Sequence, residues 1–252
     1  MSNNNEINSQ RLKDLWESAN SFGLNKQTNG INRCGYTTED TEARNWLIGE
    51  LKSYGFTVTV DGVNNVIGRL GPAQGPTIMC GSHLDSVPEG GKYDGVLGVC
   101  AAIECARVIQ ESGISMTKAI EIVAFAEEEG RFGGMLGSQA MTGQVDPSWV
   151  STAKDAFGVS LLDAMRSQGL TDVIAKLPSC NRANDKNKPI TDFIELHIEV
   201  SEPNYPFLLH VHLSLTHSPL YNVNVEFSLA ARSSTGDGED SYWCRNVYHR
   251  VC

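Results

Sequence analysis

The sequence predicts an α/β fold, a sheet carrying helices on both faces. Through the first 199 residues, short β-rich apolar runs alternate with segments whose apolar residues recur at helical spacing. One run, residues 119–126 (Ala-Ile-Glu-Ile-Val-Ala-Phe-Ala), reads as a buried strand. Composition agrees: 40% hydrophobic and 20% charged residues suit a globular chain, and 252 residues allow one large domain or two small ones.

The elements follow in order. Leu12, Leu15, Trp16 and Ala19 place a helix within residues 8–22. A second helix spans 38–54, with Thr38 as N-cap, Ala43, Trp46, Leu47, Ile48 and Leu51 as its apolar stripe, and Gly55 ending it. Strands are expected over 56–60, 65–70 and 77–80, the last two separated by a turn with Pro72, Gly75 and Pro76. A helix over 94–109 opens on Gly95 and turns Val96, Val99, Ala102, Ile103 and Ala106 inward. After the 119–126 strand come a short helix over 160–167 and a strand over 193–198. No internal repeat is visible.

Charge and punctuation exclude several classes. A net charge of −10 is a poor match to nucleic acid or an anionic membrane, which need concentrated Lys and Arg. No run of about 18 apolar residues offers a membrane span. The polar start, Met-Ser-Asn-Asn-Asn-Glu, lacks a secretory core. The seven cysteines show no framework spacing, and Cys80, Cys100 and Cys105 read as small buried hydrophobes. A reducing compartment, the cytoplasm, is the expectation.

Polar residues stand where predicted strands end, which is where open α/β sheets build sites. His83 follows the 77–80 run, and Asp85 lies two residues on. Alone, such a His is commonly an exposed turn residue; as a metal ligand it would donate its other ring N–H to a carboxylate or carbonyl, which Asp85 can supply. Asp94 lies between a glycine-rich loop and a helix start. There it is either an N-cap or a carboxylate able to bridge two cations. Glu127, Glu128 and Glu129 follow the buried strand directly. On a solvated helix face they would mean little, but at the end of a buried strand they repel one another and call for a compensating cation. One of them can then ligate while its neighbour takes a proton from water. His197 and Glu195 share one face of the last strand. Two His and several carboxylates, without Cys, suit a hydrolytic site with two divalent ions, Zn, Mn, Co or Ni.

The segments 30–37 (G-I-N-R-C-G-Y-T), 61–70, 81–95, 127–143 (E-E-E-G-R-F-G-G-M-L-G-S-Q-A-M-T-G) and 193–199 resemble the N-carbamoyl-L-amino acid hydrolase, allantoate amidohydrolase and β-alanine synthase family. That family lies within the wider aminoacylase and carboxypeptidase-G-like group. The resemblance covers residues 8–199. It implies a zinc-peptidase-like catalytic domain, a mixed sheet flanked by helices, here incomplete and without the family's lid domain. It also implies His83 and His197 as ligands of one metal, Asp94 as the bridging carboxylate, Glu129 as ligand of the second metal, Glu128 as general base and Asp85 as the partner orienting His83. The implied reaction is hydrolysis of a small ureido acid to ammonia, carbon dioxide and an amino acid; the implied full-length form is a homodimer.

The resemblance stops at Glu199. The family continues there with a segment like Q-G-P-V-L-E, whereas this chain has Val200-Ser201-Glu202-Pro203. Codons for Val200-Ser201 permit a splice-donor sequence, and those for residues 227–230 permit a pyrimidine tract. Reading from the second base of the Ala231 codon permits Q-G-P-V-L-E-M-A-K. The expectation is therefore that residues 200–230 are translated intron and 231–252 an exon in the wrong frame. The family's C-terminal His ligand and lid residues would then be absent, the sheet would end on an unpaired edge, and this 252-residue chain would be inactive. A non-catalytic truncated isoform and a related metallopeptidase or deacylase are the alternative functions.

Overall fold

The computed structural model describes residues 6–199 and the strand segments 208–216, 222–230, 244–245 and 250–251. Five strands form the part of the sheet that carries the site: β1 (Thr57–Val60), β2 (Val66–Leu70), β3 (Thr77–His83), β4 (Ala119–Phe125) and β5 (Ile190–Glu199), in the order β1-β2-β4-β3-β5. β1 and β2 are antiparallel and β2 runs antiparallel to β4, whereas β3 pairs parallel with both β4 and β5. The sheet is mixed, as the family resemblance implied. Its parallel centre brings the ends of β3, β4 and β5 to one edge of the molecule.

Side-chain alternation splits the core between the two faces. Val66, Leu70, Ile120, Ile122 and Ala124 pack against α1 (Ser9–Ala19), α2 (Thr38–Ser53) and α3 (Val96–Glu111) through Leu15, Leu47, Leu51, Val99 and Ile103. Each fully buried Leu or Ile of this kind contributes about 1.5–3 kcal/mol relative to exposure. Ile67, Met79, Val123 and Phe125 face the other way and meet Met141 of α4 (Leu136–Thr142). A further cluster joins Tyr36, Val63 and Phe132 to α4, α5 (Pro147–Thr152), α6 (Leu161–Ser167) and α7 (Val173–Cys180).

Several expectations shift. The N-cap of α2 is Thr37, whose side chain accepts from the Asp40 N–H, and not Thr38. Cys105 is exposed; its neighbour Glu104 takes the buried place, where Arg11 clamps it through two bonds of 2.5 and 2.8 Å. Much of the expected non-family tail, residues 200–252, lies outside the described residues. The expected unpaired edge beside β5 is not found: β6 (Leu208–Thr216) pairs antiparallel with β5, and β7 (Asn222–Ala230) with β6. The physical reason is a period-two alternation, His-Val-His-Leu-Ser-Leu over 210–215 and Asn-Val-Asn-Val-Glu-Phe over 222–227, which supports strand whatever its origin.

Candidate metal centre

The edge where β3, β4 and β5 end carries the polar residues singled out above. His83 is the last residue of β3 and pairs with Phe125 at the end of β4; three residues before His83 and His197, Cys80 pairs with Ile194. Parallel pairing thus places the two histidines on neighbouring strand ends. Glu127, Glu128 and Glu129 follow within four residues of Phe125. Asp94 approaches from the loop before α3. That loop is pinned by α1: the Trp16 indole N–H and the Asn20 amide both donate to the Lys92 carbonyl at 2.8 and 2.9 Å, and Trp16 stacks on Tyr93 with ring centroids 4.9 Å apart.

His83 is buried, with 2% exposure. Its Nδ1 lies 2.9 Å from the backbone carbonyl of Asp85, an atom that only accepts, so Nδ1 carries a proton and Nε2 is the nitrogen left to bind a metal once its own proton is lost. The orienting group is therefore the Asp85 carbonyl; the Asp85 carboxylate stands 3.9 Å from Nδ1 and accepts instead from the Glu129 N–H at 3.0 Å. Gly95 completes the cradle. At φ 65° it adopts a backbone shape that favours glycine, and a Cβ there would come within 2.5–2.6 Å of the His83 ring. Asp94 does not cap α3: the N-cap is Gly95, without a side-chain bond, and the Asp94 carboxylate turns to the histidines.

His83 Nε2 is 3.7 Å from Asp94 Oδ1, and His197 Nδ1 is 3.8 Å from the same oxygen. Ligand atoms of the three residues all lie within 4.8 Å of one another. Two ligands of a tetrahedral zinc at ~2.0–2.2 Å stand about 3.3–3.6 Å apart, so the spacing fits a shared ion with small adjustment. Asp94 Oδ1 is buried and has no hydrogen-bond partner, an orphan acceptor at the centre of the group. The donor set and the orphan oxygen together fit a divalent metal. Glu128 Oε2 is 3.7 Å from His83 Nε2. Glu129 stands outside the three-residue group, but its carboxyl interacts with Asp94. On the same face of β5 as His197, Glu195 accepts a 2.6 Å bond from the Ser82 hydroxyl.

The electrostatics show the same need for a cation. Burial opposes the His83 imidazolium, yet the contact with Asp94 and the charges of Asp85 and Glu128 outweigh it and push its pKa up to about 10. Asp94 is held below the usual carboxylate range, chiefly by His83. Burial raises Glu128, and it carries Glu129 up to about 7 with help from Asp94 and Glu128. Glu127 points elsewhere. It is fully buried, accepts a 2.5 Å bond from the Phe132 N–H, and is pushed up to about 7, first by burial.

Sequence reasoning missed the charges beneath the site. Arg44 of α2 is buried; it pairs with Asp40 at 2.9 Å, donates to the carbonyls of Ala124 and Phe125 at 3.2 and 2.9 Å, and lies 3.7 Å from Asp85. It thereby ties the end of β4 to the loop after β3. Arg33 is equally buried and donates to the Leu84 carbonyl at 2.6 Å and the Ala19 carbonyl at 3.0 Å. In sequence Arg44 is a polar residue inside an apolar stripe, and that anomaly was the available signal.

Comparison with known proteins finds relatives of this chain. The family model described as Peptidase family M28 matches residues 65–207. An N-carbamoyl-L-amino acid amidohydrolase of Geobacillus stearothermophilus is 37% identical over 196 residues, 75% of this chain and 45% of that protein. An allantoate amidohydrolase of Bacillus subtilis is 37% identical, over 68% of this chain and 40% of its own length. Among solved structures, a hydantoinase/carbamoylase family amidase from Burkholderia ambifaria is similar with a TM-score of 0.65 and 33% identity, covering 77% of this chain and 46% of that one. The chain spans about half the length of the curated relatives it matches.

Proposed function

The chain belongs to peptidase family M28, and from that premise we propose that it is the N-terminal half of a metal-dependent amidohydrolase cleaving the C–N bond of small ureido acids, N-carbamoyl amino acids or allantoate-like compounds. The observation that carries this is the junction of His83, Asp94 and His197 around an unpartnered carboxylate oxygen, with Glu128 beside it. The names of the similar proteins supply the substrate class. Free cysteines among the described residues fit the reducing cytoplasm expected from sequence, and no helix there is long and apolar enough to cross a membrane.

His83 and His197 would hold one divalent ion, Asp94 would bridge to a second, and Glu129 would hold that second ion. Bound metal would polarise the ureido carbonyl and lower the pKa of a water. The residues of this chain do the rest. Asp85, through its carbonyl, holds His83 in the tautomer that leaves Nε2 free. Glu128, raised by burial and within reach of the same space, takes the water's proton and passes it to the departing nitrogen. Water oxygen forms a bond to the carbamoyl carbon as the bond to the terminal nitrogen breaks. Ammonia leaves, and the resulting carbamic acid falls to carbon dioxide and the free amino acid.

The reading of residues 200–252 as intron and shifted frame belongs to the same proposal. The test assays ammonia release from N-carbamoyl amino acids and allantoate. It compares this chain with a form in which Glu199 runs directly into the Q-G-P-V-L-E reading and onward to full family length. Turnover only in the longer form is the expected result. No turnover in either form, with any ureido acid, would refute the assignment.

A further inference from the structure

Beside the metal centre lies a second concavity of about 400 Å³, lined by Cys34, Val87, Pro88, Glu129, Ala156 and Phe157 among others. It adjoins the centre through Glu129, which lines it, and through Val87 and Pro88, two and three residues after Asp85. The geometry points to this pocket as the subsite for the substrate's side chain, one that selects an apolar, bulky side chain over the polar ureido groups of allantoate. The inference rests on the ureido-acid reading above and narrows it to N-carbamoyl derivatives of large apolar amino acids.

The apolar wall is built and held. Phe157 is 94% exposed and Val87 43% exposed, so each gains from a ligand that covers it. Phe157 is presented by a braced loop. Asp155 accepts from the N–H groups of Phe157 and Val159 at 3.0 and 2.9 Å, and Lys154 bridges to Ser160. Arg131 anchors that loop through two bonds to Asp155, at 3.1 and 3.0 Å.

Most polar side chains of the pocket are committed elsewhere, Thr37 to the Asp40 N–H among them; the exception is Glu129, at the end towards the proposed metal centre. The Arg131 guanidinium, which could otherwise greet a polar or anionic side chain, is engaged by Asp155 and by the Gly35 carbonyl at 2.9 Å. The Ser86 hydroxyl donates to the Ile31 carbonyl and accepts from the Arg33 N–H, both at 3.1 Å. A second ureido group entering here would give up water for few partners, whereas a benzyl or isobutyl group gives up none of value.

The experiment uses the zinc-loaded chain and measures binding by ligand-observed saturation-transfer NMR. The probes are N-carbamoyl-L-phenylalanine, N-carbamoylglycine and allantoate. N-carbamoyl-L-phenylalanine should bind roughly tenfold more tightly than either other probe, with saturation strongest on its ring protons. Replacing the exposed wall, Phe157→Ser with Val87→Ser, should abolish that preference and leave N-carbamoylglycine binding unchanged. Both side chains are at the surface, so the fold should tolerate the change. Equal binding of N-carbamoylglycine and N-carbamoyl-L-phenylalanine, tighter binding of allantoate, or a preference that survives the double substitution would overturn the subsite and leave the ureido reading standing. Failure of all three probes to bind would overturn the subsite in this chain, whereas the ureido reading stands or falls separately on turnover by the longer form.

Discussion

Arg44→Met removes the cation that holds the floor of the site together. The methionine keeps much of the side-chain volume but leaves the buried Asp40 carboxylate without its 2.9 Å partner and Asp85 without the guanidinium at 3.7 Å. It also strips donors from the carbonyls of Ala124 and Phe125. Removing one partner of a buried ion pair costs about 3–5 kcal/mol. In a chain of this size that corresponds to a fall in Tm of roughly 6–20 °C. The sign with pH also follows. Burial already raises the Asp40 pKa, and loss of Arg44, its main opposing charge, raises it further. A carboxyl whose folded pKa is raised stabilises below its unfolded pKa, and that contribution is lost as pH rises through the folded value. The deficit of the variant should therefore be smaller near pH 4 than at pH 7. Thermal unfolding followed by circular dichroism at both values measures it. A deficit under about 1 kcal/mol, far below the expected range, or one independent of pH, would show that Arg44 does not hold the floor of the site together.

Other perturbations have equally definite outcomes. Glu128→Gln should leave cobalt affinity within about twofold by isothermal titration, because it removes a base and not a ligand, whereas His83→Ala should weaken it by at least about tenfold. Metal binding at pH 7 should release close to one proton from His83, whose metal-free pKa is about 10, seen as a buffer-dependent heat of binding. Without metal, His83 at about 10 and Glu127 and Glu129 at about 7 are all raised, so their contribution to stability should decline as pH climbs through 7 towards 10, whereas that of Asp94, held low, is lost only on acidification; denaturant midpoints between about pH 5 and 10 check the slope. Gly35→Ala would drive a Cβ into Glu127 Oε2, and a loss of about 1–3 kcal/mol in the same denaturation assay is expected.

Much of this architecture was legible because its signals are local. The helical stripes of α1, α2 and α3 and the apolar runs of β2, β3 and β4 stand within one or two turns of their expected bounds, apart from β3, which continues through His83. Three short helices escaped notice. α4 begins on Met135 with φ 58°, after a glycine-rich stretch that reads as loop, and α7 contains Pro178, which argues against helix. α5 had a readable start in Asp146-Pro147, where Asp146 accepts from the Ser148 N–H. At the site, strand-end placement singled out His83 and His197, and the glycine-rich loop before a helix singled out Asp94; the structure brings the three together. Strand-end placement could not reveal that Asp85 orients His83 by its carbonyl, or that Glu127 turns away from its two neighbours, because both depend on backbone direction after the strand. The Arg44–Asp40 pair was hidden for another reason: a buried charge is favourable only with its partners in place, and those come from distant segments.

The most direct measurement is the anomalous scattering of a crystal grown with zinc, collected on both sides of the zinc edge. A single strong peak is expected between His83 Nε2, Asp94 Oδ1 and His197, about 2.0–2.2 Å from each, with Glu128 in reach but unbound. A second, weaker peak on the Asp94 and Glu129 side would fit the two-ion proposal. No peak at His83, or zinc held by other residues while His83 Nε2 stays unligated, would contradict the assignment of this cluster as the metal centre.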